Sequence, residues 1–197
     1  MKTPQVLGIS GSPRIGGNTD RIVQEFLSAI PETDQEFVNL SRYSIESCIG
    51  CEFCRRDLTC TRFFDGMHLL YPKIESSRLL VIGSPTYNYN MTPQVKAFID
   101  RLYPYFNFTE PRPGPYSSRL ADKGKYAFVF TVCEQHDPKE AGYTVPALAD
   151  ALEALGYTII GREIFPGLFS RQAASQNHQV LKRVYELGQT AAAEVFS

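Results

Sequence analysis

The sequence has no excess of basic residues, no long apolar run and no low-complexity segment. Lys and Arg total 20 against 21 Asp and Glu, so the formal charge of the 197-residue chain is −1. Without a basic excess to neutralise phosphates, nucleic-acid binding is not expected. No apolar run reaches the roughly 18 residues of a membrane span, and the first residues do not follow a secretory pattern. We therefore expect a cytoplasmic protein that does not enter a membrane.

What the sequence does contain is typical of one ordered domain. Hydrophobic residues make up 43% of the chain and charged residues 21%, which argues against disorder. At roughly 150 residues per domain, this length predicts a single unit. No internal repeat or flexible linker divides it. We predict one domain over residues 1–197.

Short apolar runs alternate along the chain with segments of helical periodicity. The predicted strands are 5–10, 35–40, 79–83, 126–132 and 157–164, and the predicted helices are 19–30, 65–76, 93–102, 138–155 and 176–195. This alternation is typical of an α/β protein with one parallel sheet covered by helices on both faces.

A glycine-rich loop, Ser10 to Thr19, joins the first predicted strand to the first predicted helix. A helix start presents unpaired N–H groups and the positive end of the helix dipole, which favours a terminal phosphate. Asn18 stands where a nucleoside-triphosphate loop has lysine, and the glycines do not follow the dinucleotide fingerprint. Taken alone, the segment also fits an ordinary glycine-rich turn with a helix cap.

A second polar loop follows the third predicted strand, and it contains Thr86, Tyr87 and Asn88. In open α/β sheets, ligands bind beyond the carboxyl ends of strands at the point where the strand order reverses. With the order 2-1-3-4-5, that point lies between strands one and three, so the two loops should converge. Backbone amides, polar groups and an aromatic face there suit a planar ring, although an ordinary turn is an alternative.

Four of the five cysteines fall within residues 48–60, with the spacing C-x2-C-x2-C-x5-C. Cysteines this close in sequence cannot form a disulfide framework across a whole domain. A reducing compartment and a local metal or redox role for these thiols are therefore favoured. Three thiolates at three-residue steps can reach neighbouring corners of a cubane, and the longer step brings round a fourth. The spacing predicts one [4Fe–4S] cluster on Cys48, Cys51, Cys54 and Cys60. Tetrahedral zinc, free thiols or an occasional disulfide remain alternatives.

Residues 103–124 form a long segment rich in proline and aromatic residues. A loop of this length inside a compact domain is usually a lid, a partner surface or disordered. The aromatic residues argue against simple disorder. Elsewhere, Cys133 follows the fourth predicted strand and is expected to be a small buried residue.

Together these segments resemble the flavodoxin-like superfamily and, within it, the NADPH-dependent FMN reductases and the iron–sulfur flavoproteins. The resemblance is carried by Ser10-Gly11-Ser12-Pro13-Arg14 with Gly17-Asn18-Thr19, by Ser84-Pro85-Thr86-Tyr87 with Met91-Thr92-Pro93, by Lys96-Ala97-Phe98-Ile99-Asp100-Arg101 and by the cysteine spacing. It implies a flavodoxin-like, doubly wound five-stranded parallel sheet of order 2-1-3-4-5.

The resemblance also implies which residues bind FMN. The phosphate would lie on Ser10, Ser12, Pro13, Arg14, Asn18 and Thr19, and the isoalloxazine ring on Pro85, Thr86, Tyr87 and Asn88. The loop after the fourth strand would border the ring, which makes Cys133 a contact candidate. Flavin redox chemistry requires no acid–base pair, so no catalytic side chain is predicted.

The function implied by the resemblance is an FMN-dependent oxidoreductase whose [4Fe–4S] cluster exchanges electrons with FMN. A ferredoxin or NAD(P)H would donate electrons, a small molecule would accept them, and the chain would form a homodimer or homotetramer. One alternative is a cluster-free NAD(P)H-dependent reductase of flavin or quinone. Another, of a different class, is a zinc-binding interaction module on the same scaffold.

Overall fold

Five parallel strands form the centre of the fold. The computed structural model describes residues 4–31 and 33–196, so residues 1–3, 32 and 197 of the predicted domain lie outside the described residues. The strands are β1 (Val6–Ser10), β2 (Gln35–Asn39), β3 (Leu79–Pro85), β4 (Phe106–Phe108), β5 (Tyr116–Ser118), β6 (Tyr126–Val132) and β7 (Thr158–Phe165). The central sheet has the order β2-β1-β3-β6-β7 with every pairing parallel. When the five strands of the central sheet are numbered without the hairpin strands β4 and β5, this is the predicted order 2-1-3-4-5. The flavodoxin-like fold is therefore confirmed.

Helices cover both faces of this sheet. They are α1 (Asn18–Ser28), α2 (Phe53–Asp57), α3 (Met67–Ser76), α4 (Pro93–Asp100), α5 (Thr144–Ala154), α6 (Ala173–Gln176) and α7 (His178–Phe196). Successive residues of a strand point to opposite faces. Leu7 of β1 accordingly packs in the cluster that α3, α4 and α5 cover, while Val6 packs in the cluster under α1 and α7. Within the described ranges, no helix is both long enough and apolar enough to span a membrane.

The predicted helix 138–155 is interrupted in the structure. A 3-10 turn over Pro138–Ala141 ends at Gly142, and α5 begins at Thr144. Gly142 has a φ of +56°, and a Cβ at this position would lie 2.4 Å from the carbonyl oxygen of Tyr89. The break lets the chain pack against the loop after β3, where the Tyr143 N–H donates to the same oxygen at 2.7 Å. The predicted final helix 176–195 corresponds to the single helix α7, and the short helix α6 precedes it.

The proline-rich segment 103–124 contains the small antiparallel hairpin β4–β5. Its strands have three residues each, too short for a periodicity to be recognised in the sequence. Arg112 binds Glu52 at 2.6 Å, Glu110 binds Arg55 at 3.0 Å, and Arg119 donates to the Leu58 carbonyl at 2.8 Å. The hairpin therefore packs on the cysteine-bearing loop between β2 and α3.

Candidate functional site: a cleft at the strand ends and a cavity lined by cysteines

A cleft opens where β1, β3 and β6 end. Its lining residues come from four loops and helix starts: Ser12, Arg14, Asn18, Thr19, Pro85, Thr86, Tyr87, Val132, Glu134, Leu168, Phe169 and Arg171. The cleft encloses about 540 Å³ of empty space when its open mouth is included. Small-molecule sites commonly have volumes of about 300–1,000 Å³. The two loops singled out in the sequence thus meet at one ligand-sized cleft.

A buried carboxylate shapes the glycine-rich loop, and sequence reasoning missed it. Asp20 is 3% exposed and accepts hydrogen bonds from the Ser10 hydroxyl at 2.5 Å, the Gly16 N–H at 2.7 Å and the Asn39 amide at 2.7 Å. Gly16 has a φ of +70°, a left-handed conformation that suits glycine. Asp20 therefore fixes the path of the loop from below.

The start of α1 lies at one end of the cleft, where its first N–H groups could bind an anion. Gly17 is the residue at the helix cap, and having no side chain it cannot accept from the first helical N–H groups. The Thr19 side chain lies at this end of the cleft, and Arg14 and Arg171 bring two positive charges to its mouth. Unpaired N–H groups, the helix dipole and two guanidinium groups together favour a phosphate.

Three of the predicted phosphate residues use their side chains in hydrogen bonds within the protein. The Ser12 hydroxyl accepts from the Arg14 N–H at 3.1 Å and donates to the Arg14 carbonyl at 3.4 Å. The Ser10 hydroxyl donates to Asp20. The Asn18 amide nitrogen donates to the Leu168 and Ser170 carbonyls at 3.1 and 2.8 Å, and its amide oxygen accepts from the Ala174 N–H at 2.9 Å. Asn18 therefore presents its backbone N–H, rather than its side chain, to an anion. Ser10 lies below the cleft, and Pro13 lines the neighbouring surface beside Arg14.

The loop after β7, residues 166–172, forms a wall of the cleft that sequence reasoning did not identify. Besides the Asn18 bonds, the Arg171 guanidinium donates to the Ile15 carbonyl, and Arg14 donates to the Phe169 carbonyl at 3.4 Å. The rule that ligands bind at carboxyl strand ends applies to β7 as well as to β1 and β3. The sequence signal was an arginine and an aromatic residue, Arg171 and Phe169, just after the last predicted strand.

The loop after β3, residues 86–92, is a tight turn, and we call it the ring-side loop because the sequence predicted that it binds a planar ring. Tyr87 and Asn90 exchange backbone hydrogen bonds of 2.7 and 3.0 Å, and Asn88 and Tyr89 have φ angles of +46° and +63°. The Thr86 N–H donates to the Val132 carbonyl at 2.9 Å. The amides of Thr86 and Tyr87, which the sequence offered to a ring, are therefore already bonded. These residues and Pro85 line the cleft by their shape and side chains.

Two predicted ring contacts do not line the cleft. Asn88 lies at the exposed tip of the turn. Cys133 is 3% exposed; its N–H donates to the Phe165 carbonyl and its own carbonyl accepts from the Leu168 N–H, both at 3.0 Å. Cys133 therefore ties the end of β6 to the loop after β7, in agreement with its expected burial.

The other four cysteines line one separate cavity. Cys48, Cys51, Cys54 and Cys60 surround it together with residues of the α4 end. All four are free thiols, and Cys60 is the buried one. Burial and the neighbouring negative charges of Cys60, Cys48 and Cys51 raise the pKa of the Cys54 thiol to about 11. Four sulfur donors at one cavity match the donor set of an iron–sulfur group or of zinc.

These thiols do not form a completed coordination shell. Among residues 4–31 and 33–196, no group of three or more His, Cys, Asp or Glu side chains is placed to hold a metal ion. The donor chemistry of the cavity thus fits a thiolate-ligated group, whereas binding would require the sulfurs to move closer together. The cavity shares no lining residue with the cleft. Helix α4 connects the two, since it starts after the loop that follows β3 and ends at Asp100, one residue before Arg101 at the cysteine cavity.

A buried ion pair closes the two ends of the cysteine loop. Arg101 binds both carboxylate oxygens of Asp65 at 2.7 and 3.1 Å and donates to the Glu46 carbonyl at 2.8 Å. Asp65 also accepts from the Glu46 N–H at 2.9 Å and the Met67 N–H at 3.0 Å. Burial alone would raise the pKa of Asp65, but the Arg101 and backbone hydrogen bonds hold it below its usual value. We call Glu46, Asp65 and Arg101 the loop clasp.

Comparison with known proteins agrees with this architecture. The sequence model of the NADPH-dependent FMN reductase family matches residues 4–160. An iron–sulfur flavoprotein of Archaeoglobus fulgidus is 30% identical over 188 residues, which cover 93% of this chain and 77% of that protein. An iron–sulfur flavoprotein of Methanocaldococcus jannaschii is 36% identical over 102 residues, 51% of this chain and 52% of its own. This chain therefore aligns with about half the length of that relative.

Solved structures show the same fold at low sequence identity. A flavone reductase superposes with a TM-score of 0.71 at 19% identity, covering 96% of this chain and 62% of its own. An FMN-dependent NADH-azoreductase of Bacillus anthracis, solved in complex with FMN, gives a TM-score of 0.64 at 18% identity, covering 98% and 99%. At such identities the likeness supports the fold alone.

Proposed function

This chain belongs to the NADPH-dependent FMN reductase family, and we propose that it is an oxidoreductase that binds FMN in the cleft at the strand ends. In this proposal the four cysteines Cys48, Cys51, Cys54 and Cys60 hold a [4Fe–4S] cluster, and the cluster exchanges electrons with the flavin. The observation that carries the flavin assignment is the meeting of the α1 start with the ring-side loop at one cleft. The cluster assignment is supported by the four thiols at one cavity and by the name of the relatives.

In this proposal the two halves of the cleft have different tasks. The FMN phosphate lies at the start of α1, beside the Asn18 and Thr19 N–H groups and the Arg14 guanidinium. The Ser12 hydroxyl lines the same end, and binding the phosphate would require it to leave its 3.4 Å hydrogen bond to the Arg14 carbonyl. Arg171 joins them as a residue the sequence did not indicate. Pro85, Thr86 and Tyr87 hold the ring, while Ser10, Pro13, Asn88 and Cys133 shape the surrounding loops without lining the cleft.

When bound, FMN supplies transfer of a hydride or of single electrons. The residues of this chain bind its phosphate, orient its ring and exclude water from part of its surface. Positive charge at the phosphate end comes from the helix dipole and from the exposed side chains of Arg14 and Arg171. No proton transfer to or from a side chain is assigned, so no catalytic residue is named.

A second candidate function keeps FMN and omits the cluster. The specific observation in its favour is that the described thiols are not placed as a metal site. In that case the protein reduces free flavin or a quinone with electrons from NAD(P)H. In the first function, a ferredoxin-type protein or NAD(P)H donates electrons and a small molecule accepts them.

Assembly and location extend the same proposal. Large aromatic side chains that line the cleft are exposed, with Tyr87 43% and Phe169 62% exposed, and Tyr89 in the same loop as Tyr87 is 54% exposed. Aromatic surface at a ligand site favours burial between subunits, which supports a homodimer or homotetramer. The free thiols favour a reducing compartment such as the cytoplasm.

The test is the metal and flavin content of anaerobically prepared protein after incubation with iron, sulfide and FMN. The first function predicts equimolar FMN and about four irons per chain. The variant Cys51→Ser should lose the iron and keep FMN, and the matched control Cys133→Ser should keep both. FMN without iron, together with fast reduction by NADPH in stopped flow, would establish the second function. Absence of FMN uptake would contradict both.

A further inference from the structure

Arg101 has a buried hydrogen-bond donor that is not used. Its side chain is 2% exposed, and its two terminal nitrogens bind Asp65 and the Glu46 carbonyl. Within the part of the chain that the structure describes, its Nε has no hydrogen-bond partner. Buried N–H donors are almost always paired, and a charged donor loses more than a neutral one when it is not. The Tyr71 hydroxyl lies beside this guanidinium and donates to the Arg101 carbonyl. No described acceptor is in hydrogen-bond geometry with Nε, so this N–H is open to an acceptor from outside the protein.

The surroundings of Arg101 indicate the acceptor. Arg101 lines the cavity that contains all four loop cysteines, and its guanidinium lies 5.3 Å from the centre of the Phe63 ring. The other charged residues lining this cavity are Arg62, Glu52 and Asp100, and none of them is buried. Cys60, the buried cysteine, lies in the same wall. Arg101 is thus the buried cation of a cavity whose donors are sulfurs.

We propose that the Arg101 Nε–H donates a hydrogen bond to a sulfur of the thiolate-ligated group in this cavity, so that Arg101 is its positioning and charge-compensating residue. The inference rests on the proposed iron–sulfur function. Sulfurs of such a group carry net negative charge and accept N–H donors. Hydrogen bonds to these sulfurs stabilise the more negative, reduced state and raise the reduction potential.

The same residue has a mechanical role that the experiment must separate from the hydrogen bond. Through Asp65 and Glu46, Arg101 holds together the two ends of the loop that carries the cysteines. Loss of the loop clasp would weaken the binding of any group in the cysteine cavity, with or without a hydrogen bond from the Arg101 Nε–H. Asp65→Asn weakens the clasp while leaving the Nε–H in place. Arg101→Lys keeps a positive charge near Asp65 but has no donor equivalent to Nε.

The test compares the unmodified 197-residue chain and three variants after anaerobic reconstitution with iron and sulfide. The third variant, Arg119→Lys, is the matched control, because Arg119 also binds this loop at the Leu58 carbonyl but does not line the cavity. The readouts are iron per chain, the reduction potential of the centre and exchangeable-proton coupling in electron–nuclear double resonance. We expect Arg101→Lys to lower the potential and to lose one exchangeable-proton coupling.

Asp65→Asn should keep that coupling and should not lower the potential, because it removes a negative charge, and Arg119→Lys should match the wild type. Unchanged potential and coupling in iron-loaded Arg101→Lys would overturn the inference while leaving the proposed function intact. Failure of the wild type to bind iron would instead overturn the proposed function. If Arg101→Lys does not fold, the same spectroscopy is applied to wild-type protein that carries nitrogen-15-labelled arginine. The inference predicts a nitrogen coupling between the labelled arginine and the centre, and absence of this coupling overturns the inference.

Discussion

The cleft and the cysteine cavity are held in place by different parts of the molecule. The cleft is formed by backbone at the ends of buried parallel strands, packed so closely that a Cβ at Gly11 would lie 1.9 Å from Val95 Cγ2. The cavity lies on a long loop between β2 and α3, and its supports are the loop clasp and the hairpin ion pairs. A site built from backbone at strand ends should keep its shape when one side chain is removed. A site held by the loop clasp should lose its shape when a side chain of the clasp is removed.

The largest expected effect is on the clasp. Arg101→Met leaves the Asp65 carboxylate buried without a cation, and breaking a buried pair in this way costs about 3–5 kcal/mol of unfolding free energy. Urea denaturation of the apoprotein measures it. The control is Lys96→Met in the same helix, whose ion pair with Asp100 is exposed, and it should cost less than about 1 kcal/mol. Equal losses in the two variants would mean that the clasp does not support the loop.

A smaller effect is expected from the side chain that joins two walls of the cleft. Asn18→Ala removes the donors to the Leu168 and Ser170 carbonyls without adding a charge near the phosphate end, which should cost about 1–3 kcal/mol of stability. Affinity for FMN and for riboflavin should fall together, because the loop after β7 is no longer held against α1. Asn177→Ala, which removes only a cap bond to the Val180 N–H, is the control and should change neither affinity. A loss confined to FMN would show that the Asn18 side chain contacts the phosphate directly.

Arg171 tests the phosphate end of the cleft alone. Arg171→Met should weaken FMN binding about tenfold, roughly 1.4 kcal/mol, and leave riboflavin binding unchanged, because only FMN carries a phosphate. Arg183→Met removes another partly exposed arginine whose ion pair with Glu163 lies on β7 and α7, and it should change neither affinity. Fluorescence titration of both ligands measures the ratio. Equal weakening for the two ligands would contradict a phosphate contact.

The smallest effect concerns pH. The pKa of Asp65 is held below its ordinary 3.8, so unfolded chains bind more protons than folded ones as the pH falls towards and below that value. The stability from this carboxylate is fully present above about pH 4 and is lost as the pH falls through the lowered folded-state pKa. Asp65→Asn should show a shallower loss of unfolding free energy on acidification than the wild type. The exposed Asp150→Asn is the control, and identical slopes for Asp65→Asn and wild type would exclude this contribution.

The sequence predicted the fold and the place of the cleft because both follow from local patterns. Apolar runs such as 79–83 are recognisable without tertiary information, and the strand order fixes where their ends meet. It did not predict that the Asn18 side chain binds the chain 150 residues away, that Asp20 supports the loop, or that Arg171 reaches the cleft. Those contacts depend on distant segments brought together by the fold. The hairpin of residues 103–124 escaped prediction because its strands are stabilised by ion pairs and aromatic contacts rather than by a long alternating pattern.

The account depends most on the claim that the cleft grips FMN by its phosphate. Titration of the flavin-free protein with FMN and with riboflavin tests it directly. We predict equimolar FMN binding at least about 100-fold tighter than that of riboflavin, the equivalent of roughly 2.7 kcal/mol from charge-assisted hydrogen bonds to the phosphate. No uptake of FMN, or equal affinity for the two flavins, would contradict the account.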